Sequence, residues 1–193
     1  PHGVVVWPLH DPAREPAGGA DCAATARLST GLEGLDRLLC GGVLPGSLTL
    51  LAGMSGAGKT VMAAHFAAAR AAAGGRVLFV SAGRGGPLPK ENLSAIVPGF
   101  GDGLRGGAIV PARISLRDAA HPAEFLHAVR TAAEAAQAGS LALDALPLFP
   151  GEAGAGMHLA GFVLAPLACL VAGTGGAVWV TAHLGAPDPA RFL

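Results

Sequence analysis

The octapeptide Gly53-Met54-Ser55-Gly56-Ala57-Gly58-Lys59-Thr60 decides how the other residues of this 193-residue chain are read. It fits G-x-x-x-x-G-K-[ST] at every fixed position. Glycine is abundant, so its frequency has to be weighed. With Gly at 30 of 193 positions, Lys at 2 and Ser plus Thr at 14, chance supplies about 0.003 copies of the pattern, too few to explain it. Each fixed position has a chemical reason. Glycines let the backbone curl so that successive amides face inward, forming an anion-binding nest at the positive end of a following helix. The Lys59 ammonium can reach the β- and γ-phosphates of a nucleotide, and the Thr60 hydroxyl can ligate Mg²⁺. The expected phosphate site is Gly53, Met54, Ser55, Gly56, Ala57, Gly58, Lys59, Thr60 and Val61, with a nucleotide and Mg²⁺ as its ligands.

The flanks supply the context this loop requires. Ser47 to Ala52 (SLTLLA) is a short apolar run that suits a buried strand, and an alanine-rich helix follows to about Ala73, stopped by Gly74-Gly75. Arg76 to Ser81 (RVLFVS) is a second strand, and a strand regained after a helix implies a parallel crossover. Upstream, Thr30-Gly31-Leu32-Glu33 has capping-box spacing, with Leu32, Leu35 and Leu39 on one helical face before Gly41-Gly42. Downstream, Gly83 to Gly107 reads mostly as loop, with a short helix at Lys90 to Val97. Ala108 to Val110 is a candidate strand. Asp118 to Gly139 reads as a helix with Pro122 and Glu124 in its first turn. Leu141 to Leu143 is a strand ending at Asp144. A helix from Met157 to Ala172, kinked or interrupted near Pro166, precedes the last strand, Ala177 to Thr181. The order βαβ…αβαβ places the chain in the α/β class with a mostly parallel sheet. No repeat of 20 to 50 residues is present.

A phosphate loop needs an acid at the C-terminal end of a neighbouring strand to hold Mg²⁺. Asp144 fits, a strand-end turn residue being the ordinary alternative. Lys59 and Asp144 are the candidate catalytic groups, and Thr60 and Asp144 the candidate metal ligands.

Composition narrows the rest. With 51% apolar residues and 13% charged, the chain must fold or insert, and its length suits one domain. No run of about 18 residues escapes Gly, Pro or charge, which argues against a membrane span. Thirteen basic against thirteen acidic residues give no field to attract a polyanion. Cys22, Cys40 and Cys169 are odd in number and far apart, which points to reduced thiols and a cytoplasmic setting. Residues 8 to 26 are rich in Pro, Ala and Gly and read as a linker, so residues 1–27 form an arm and the fold starts near Leu28. In that arm Val4-Val5-Val6-Trp7 has strand composition and is a candidate sheet edge, with a frayed terminus as the alternative. The absence of an initiating Met reads as a fragment or processed piece.

The run from Leu28 to Gly53, LSTGLEGLDRLLCGGVLPGSLTLLAG, resembles the block that opens RecA-superfamily ATPases of the KaiC and RadA type. The likeness covers residues 28 to 184 and is specific at 28 to 60. It implies a P-loop NTPase fold of the RecA type, a three-layer sandwich, with Gly53 to Thr60 as the Walker A loop and Asp144 as the Walker B acid. It further implies that Thr181-Ala182-His183 occupies a sensor position where a polar side chain feels the γ-phosphate, which makes His183 a third candidate catalytic residue beside Lys59 and Asp144; an ordinary loop histidine is the alternative for His183. Assembly into a homo-oligomer is implied as well. In these ATPases the strand after the P-loop helix ends in glutamates that activate the attacking water, whereas here Phe79-Val80-Ser81 runs into Ala82-Gly83-Arg84. Glu91, in the following segment, is a substitute base or a solvated carboxylate. Arg84 is a phosphate contact or a surface residue. The chain stops at Leu193, where family members continue, so the core over residues 28–193 reads as truncated or unusually short.

Three functions compete. The first is an Mg²⁺-dependent ATP-binding domain, a slow ATPase acting in an oligomer. The second is a nucleotide-controlled binding module that does not hydrolyse, in which ATP merely shifts a conformation or an oligomer; a protein partner is a separate expectation. The third, a DNA repair ATPase, lacks the stacking aromatics and basic groove it needs, since aromatics are 5% and Tyr is absent. The seven histidines show no H-E-x-x-H and no Cys/His spacing for a metal centre. His121 and His127 flank a helix start and read as solvated. No G-x-S-x-G elbow is present.

Overall fold

The computed structural model describes residues 26–82, 89–114, 122–144 and 156–183. The arm's linker and its Val4–Trp7 strand lie outside the described residues. So do Arg84 and His121.

Among the described residues, five strands form one parallel sheet. They are β1 (Leu48–Gly53), β2 (Val77–Ser81), β3 (Ile109–Arg113), β4 (Ser140–Asp144) and β5 (Val178–His183), in the spatial order β1-β5-β4-β2-β3. The helices are α1 (Glu33–Leu38), α2 (Lys59–Ala72), α3 (Lys90–Ile96), α4 (Phe100–Arg105), α5 (Pro122–Ala136) and α6 (Gly156–Val171). Alternation along the strands builds two cores. Val77, Phe79, Ala142, Ala177 and Trp179 face α2, where Phe66 stacks on Trp179 at a centroid distance of 5.4 Å. Leu78, Val80, Leu141, Leu143, Val178 and Val180 face the opposite side, where Phe125 and Val129 of α5 and Val163 and Leu167 of α6 cover them. Helices on both faces of a parallel sheet make the RecA-like three-layer α/β fold.

The sheet corrects one expectation. β1 is not a buried strand: among the described residues it pairs only with β5, and Leu50 is 45% exposed. The helix at Lys90 is present, but the segment after it is not plain loop. α4 lies there, with Phe100 edge-on to Phe79 at 5.7 Å and Gly103 so close to Ile109 that a Cβ would fall 2.6 Å from its Cδ1. α6 runs from Gly156 to Val171 through Pro166 without an interruption, although the proline nitrogen can donate no bond.

The capping box does not form. Leu32 is the N-cap of α1 and gives no side-chain bond, and Glu33 pairs with Arg37 one turn on. Asp36 takes the donors instead, accepting Ser29 Oγ at 2.6 Å, Thr30 Oγ1 at 2.6 Å and Thr30 N at 2.8 Å. Burial alone would push the Asp36 carboxyl up, but these bonds outweigh it and hold the group below the ordinary aspartate value. A lowered carboxyl pKa stabilises the fold above the unfolded value, about 3.9, and the contribution is lost as pH falls through the lower folded value. The stability gap between wild type and Asp36→Ala, measured by urea unfolding, is therefore expected to be full above about pH 5 and to narrow below about pH 4. A gap that stays constant down to acid would show that the ionised carboxylate is not what holds this block.

Candidate functional site

The carboxyl ends of β1, β5, β4 and β2 lie side by side. The register pairs Gly53 with His183, Leu143 with Val180, and Ser81 with Asp144. The loop leaves this edge directly from Gly53, and α2 begins at Lys59, so the first turn of α2 sits over the strand ends. Two residues of the loop need a left-handed backbone: Gly56 at φ +80° and Gly58, the N-cap of α2, at φ +78°. Neither would meet a neighbour if it gained a Cβ, so glycine is required for conformation, not for space. Met54, Ser55, Gly56, Ala57 and Gly58 are all exposed.

Lys59 folds back over the loop. Its Nζ donates to the Gly53 carbonyl at 2.9 Å and the Met54 carbonyl at 2.6 Å, which holds the ammonium on the open side of the loop. Thr60 points the other way, into the sheet edge. Its hydroxyl meets Asp144 at 2.9 Å from Oδ1 and 3.1 Å from Oδ2, across 84 residues of sequence. A third group joins them: Thr181 of β5, only 1% exposed, donates to Asp144 Oδ1 at 3.0 Å. The Ala82 amide donates to the Asp144 carbonyl at 3.1 Å and ties the end of β2 to the same corner.

The sequence-selected residues are thus partly united. The loop, Lys59, Thr60 and Asp144 converge. Of His183 the structure gives backbone position alone, at the end of β5 beside Gly53. Thr181 entered the sequence reading only as one of three strand-end residues facing a phosphate; in the fold its hydroxyl is turned to Asp144. Glu91 is exposed on α3. Oxygen donors from a hydroxyl and a carboxylate are hard ligands of the kind Mg²⁺ accepts, and a Mg²⁺ held by one carboxylate, a hydroxyl and substrate phosphates needs no larger protein cage. Among the described residues no group of three His, Cys, Asp or Glu could hold a metal on its own. Nor is any helix there long and apolar enough to cross a membrane. Cys40 and Cys169 are exposed and not disulfide-bonded.

A parallel sheet with helices on both faces, a glycine loop between β1 and α2, and an acid at the end of β4 define the RecA-like P-loop class. Comparison with known proteins narrows it. Residues 28–95 match the family described as "ATPase: KaiC". Over 66 residues the chain is 44% identical to the DNA repair protein RadA of Mycobacterium tuberculosis, a match covering 34% of this chain and 14% of that protein. Over 50 residues it is 46% identical to the circadian clock oscillator protein KaiC of Prochlorococcus marinus, covering 26% of this chain and 10% of that protein. Over these residues the chain is similar to RecA-superfamily P-loop ATPases of the KaiC and RadA type, and the matches span about a tenth to a seventh of the relatives' length.

Proposed function

We propose that this chain binds Mg-ATP in the loop from Gly53 to Thr60. In this reading the loop amides and Lys59 take the phosphates, and Thr60 and Asp144 take the cation. The observation that carries the reading is the Thr60–Asp144 pair at the start of α2. A hydroxyl and a carboxylate 84 residues apart in sequence meet where an N-terminal helix dipole favours anions. When bound, Mg²⁺ would neutralise charge on the phosphate oxygens. Self-assembly, supported by the likeness to KaiC-type proteins, and a protein partner are part of the proposal.

Hydrolysis is slow or absent in this reading. At the carboxyl ends of β1, β2, β4 and β5, among the described residues, the acidic side chain is Asp144, and two hydroxyls already engage it. β2 ends in Ser81 and is followed by Ala82, which is fully buried. A site without a positioned general base loses about 10² to 10⁴ in rate. Calorimetry with ATP, with and without Mg²⁺, tests the binding. A phosphate-release assay under saturating Mg-ATP is then expected to give about 0.1 s⁻¹ or slower, against a typical enzyme near 10 s⁻¹. Turnover at the typical rate would place a base outside this corner and remove the regulatory-module reading. The name of the RadA relatives refers to DNA repair, and ATP-dependent retention on single-stranded DNA at moderate salt would extend that role to this chain.

A further inference from the structure

We infer that Thr181 is a positioning residue for the cation: it fixes which oxygen of Asp144 is left to meet Mg²⁺. The inference rests on the Mg-ATP reading above and adds to it a residue from a third strand.

The argument is an accounting of protons. Thr60 has one hydroxyl proton, so its distances of 2.9 Å to Oδ1 and 3.1 Å to Oδ2 describe one donation shared between the two oxygens. Thr181 has one as well, and it goes to Oδ1 at 3.0 Å. Oδ1 therefore receives two donors and Oδ2 only the longer half of one. Oδ2 is the oxygen with acceptor capacity to spare, and Thr60, having given its proton away, keeps its lone pairs for a cation.

Without Thr181 the carboxylate would be held from the α2 side alone and could rotate about its last torsion, which is broad for aspartate. Thr181 is well placed to prevent this. It lies in β5, one residue beyond the Leu143–Val180 pair, with strands on both sides, and is itself 1% exposed. Its hydroxyl does not contact a ligand; it acts through Asp144. Losing a partner that orients a metal ligand typically costs 10- to 100-fold in metal affinity.

The test uses the whole chain and reads ATP binding by calorimetry across a series of free Mg²⁺ concentrations and in chelator. Thr181→Val keeps the shape and a strand-favouring side chain but deletes the donor. The free Mg²⁺ needed for half-maximal enhancement of ATP binding is expected to rise about 10-fold or more, while the weaker binding in chelator stays within about 2-fold. Thr181→Ser, which retains the hydroxyl, is expected to restore the wild-type Mg²⁺ requirement. If Thr181→Val does not fold, Thr181→Ala against Thr181→Ser makes the same comparison, hydroxyl absent against hydroxyl present. An unchanged Mg²⁺ requirement in the variant overturns the inference, as does an equal loss of binding with and without Mg²⁺, which is the mark of a merely structural role. Failure of the Mg-ATP reading is distinct: the wild-type chain would then show no Mg²⁺-dependent ATP binding at all.

Discussion

Lys59→Ala is expected to weaken ATP binding about 100-fold or more, with the thermal unfolding midpoint within about 2 °C of wild type. The two halves of the result come from different contacts. The Lys59 ammonium bonds to the Gly53 and Met54 carbonyls, which belong to a loop whose next residues are exposed. Water can replace the lysine at both carbonyls, so little folding free energy is lost. Phosphate is a different partner. A charge-assisted bond to an anionic oxygen is worth about 1.5–3 kcal/mol, and Lys59 must leave two carbonyls to make such bonds. The net loss of about 3 kcal/mol corresponds to the 100-fold change. Calorimetric titration with ATP checks it. Affinity within about 3-fold of wild type would mean that the loop does not hold the triphosphate, whatever its sequence.

How much of this was legible in the residues depends on how far each feature reaches along the chain. The loop is local: Gly53 to Thr60, the strand before it and the alanine-rich helix after it are contiguous, and all three stand where the pattern puts them. Asp144 was reachable because a phosphate loop demands an acid at a strand end. Thr181 was legible only as part of a strand-end triplet, since a threonine in VWVTAH looks like any strand residue until β5 pairs with β4. The strand order itself is absent from composition. SLTLLA is apolar enough for a central strand, yet it forms an edge with Leu50 exposed. Glycine misled in the opposite sense. FGDGLR has poor helix propensity and reads as loop, but packing overrides propensity when Gly101 and Gly103 let α4 approach Ser94 and Ile109 closely. The capping-box pattern failed to a competitor one turn away, because Asp36 can satisfy three donors where Glu33 could serve one.

The largest expected loss of stability comes from a glycine far from the loop, Gly176→Ala, at about 3 kcal/mol or more. Gly176 lies at the opposite end of the sheet, where the segments leading into three strands cross. Its carbonyl accepts the Gly46 amide, just before β1, at 2.6 Å. Its own amide meets Thr174 Oγ1 at 3.2 Å, and that hydroxyl reaches the Gly139 carbonyl, just before β4, at 2.8 Å. A Cβ on Gly176 would overlap the Gly139 carbonyl and crowd Ser140 Oγ at 2.5 Å. The obstacle is backbone, which cannot turn aside as a side-chain tip can, so β4 and β5 would have to separate where they begin. Urea unfolding of Gly176→Ala measures the cost, and Gly34→Ala supplies the contrast. Gly34 sits in α1, exposed, with nothing within 4 Å of its would-be Cβ and no positive φ. There alanine should stabilise by about 0.5–1 kcal/mol, because it lowers the entropy of the unfolded chain and suits a helix. Opposite signs for the same substitution would tie the effect to the crossing of the three segments. A Gly176→Ala cost under about 1 kcal/mol would mean that β4 and β5 do not meet there as closely as described.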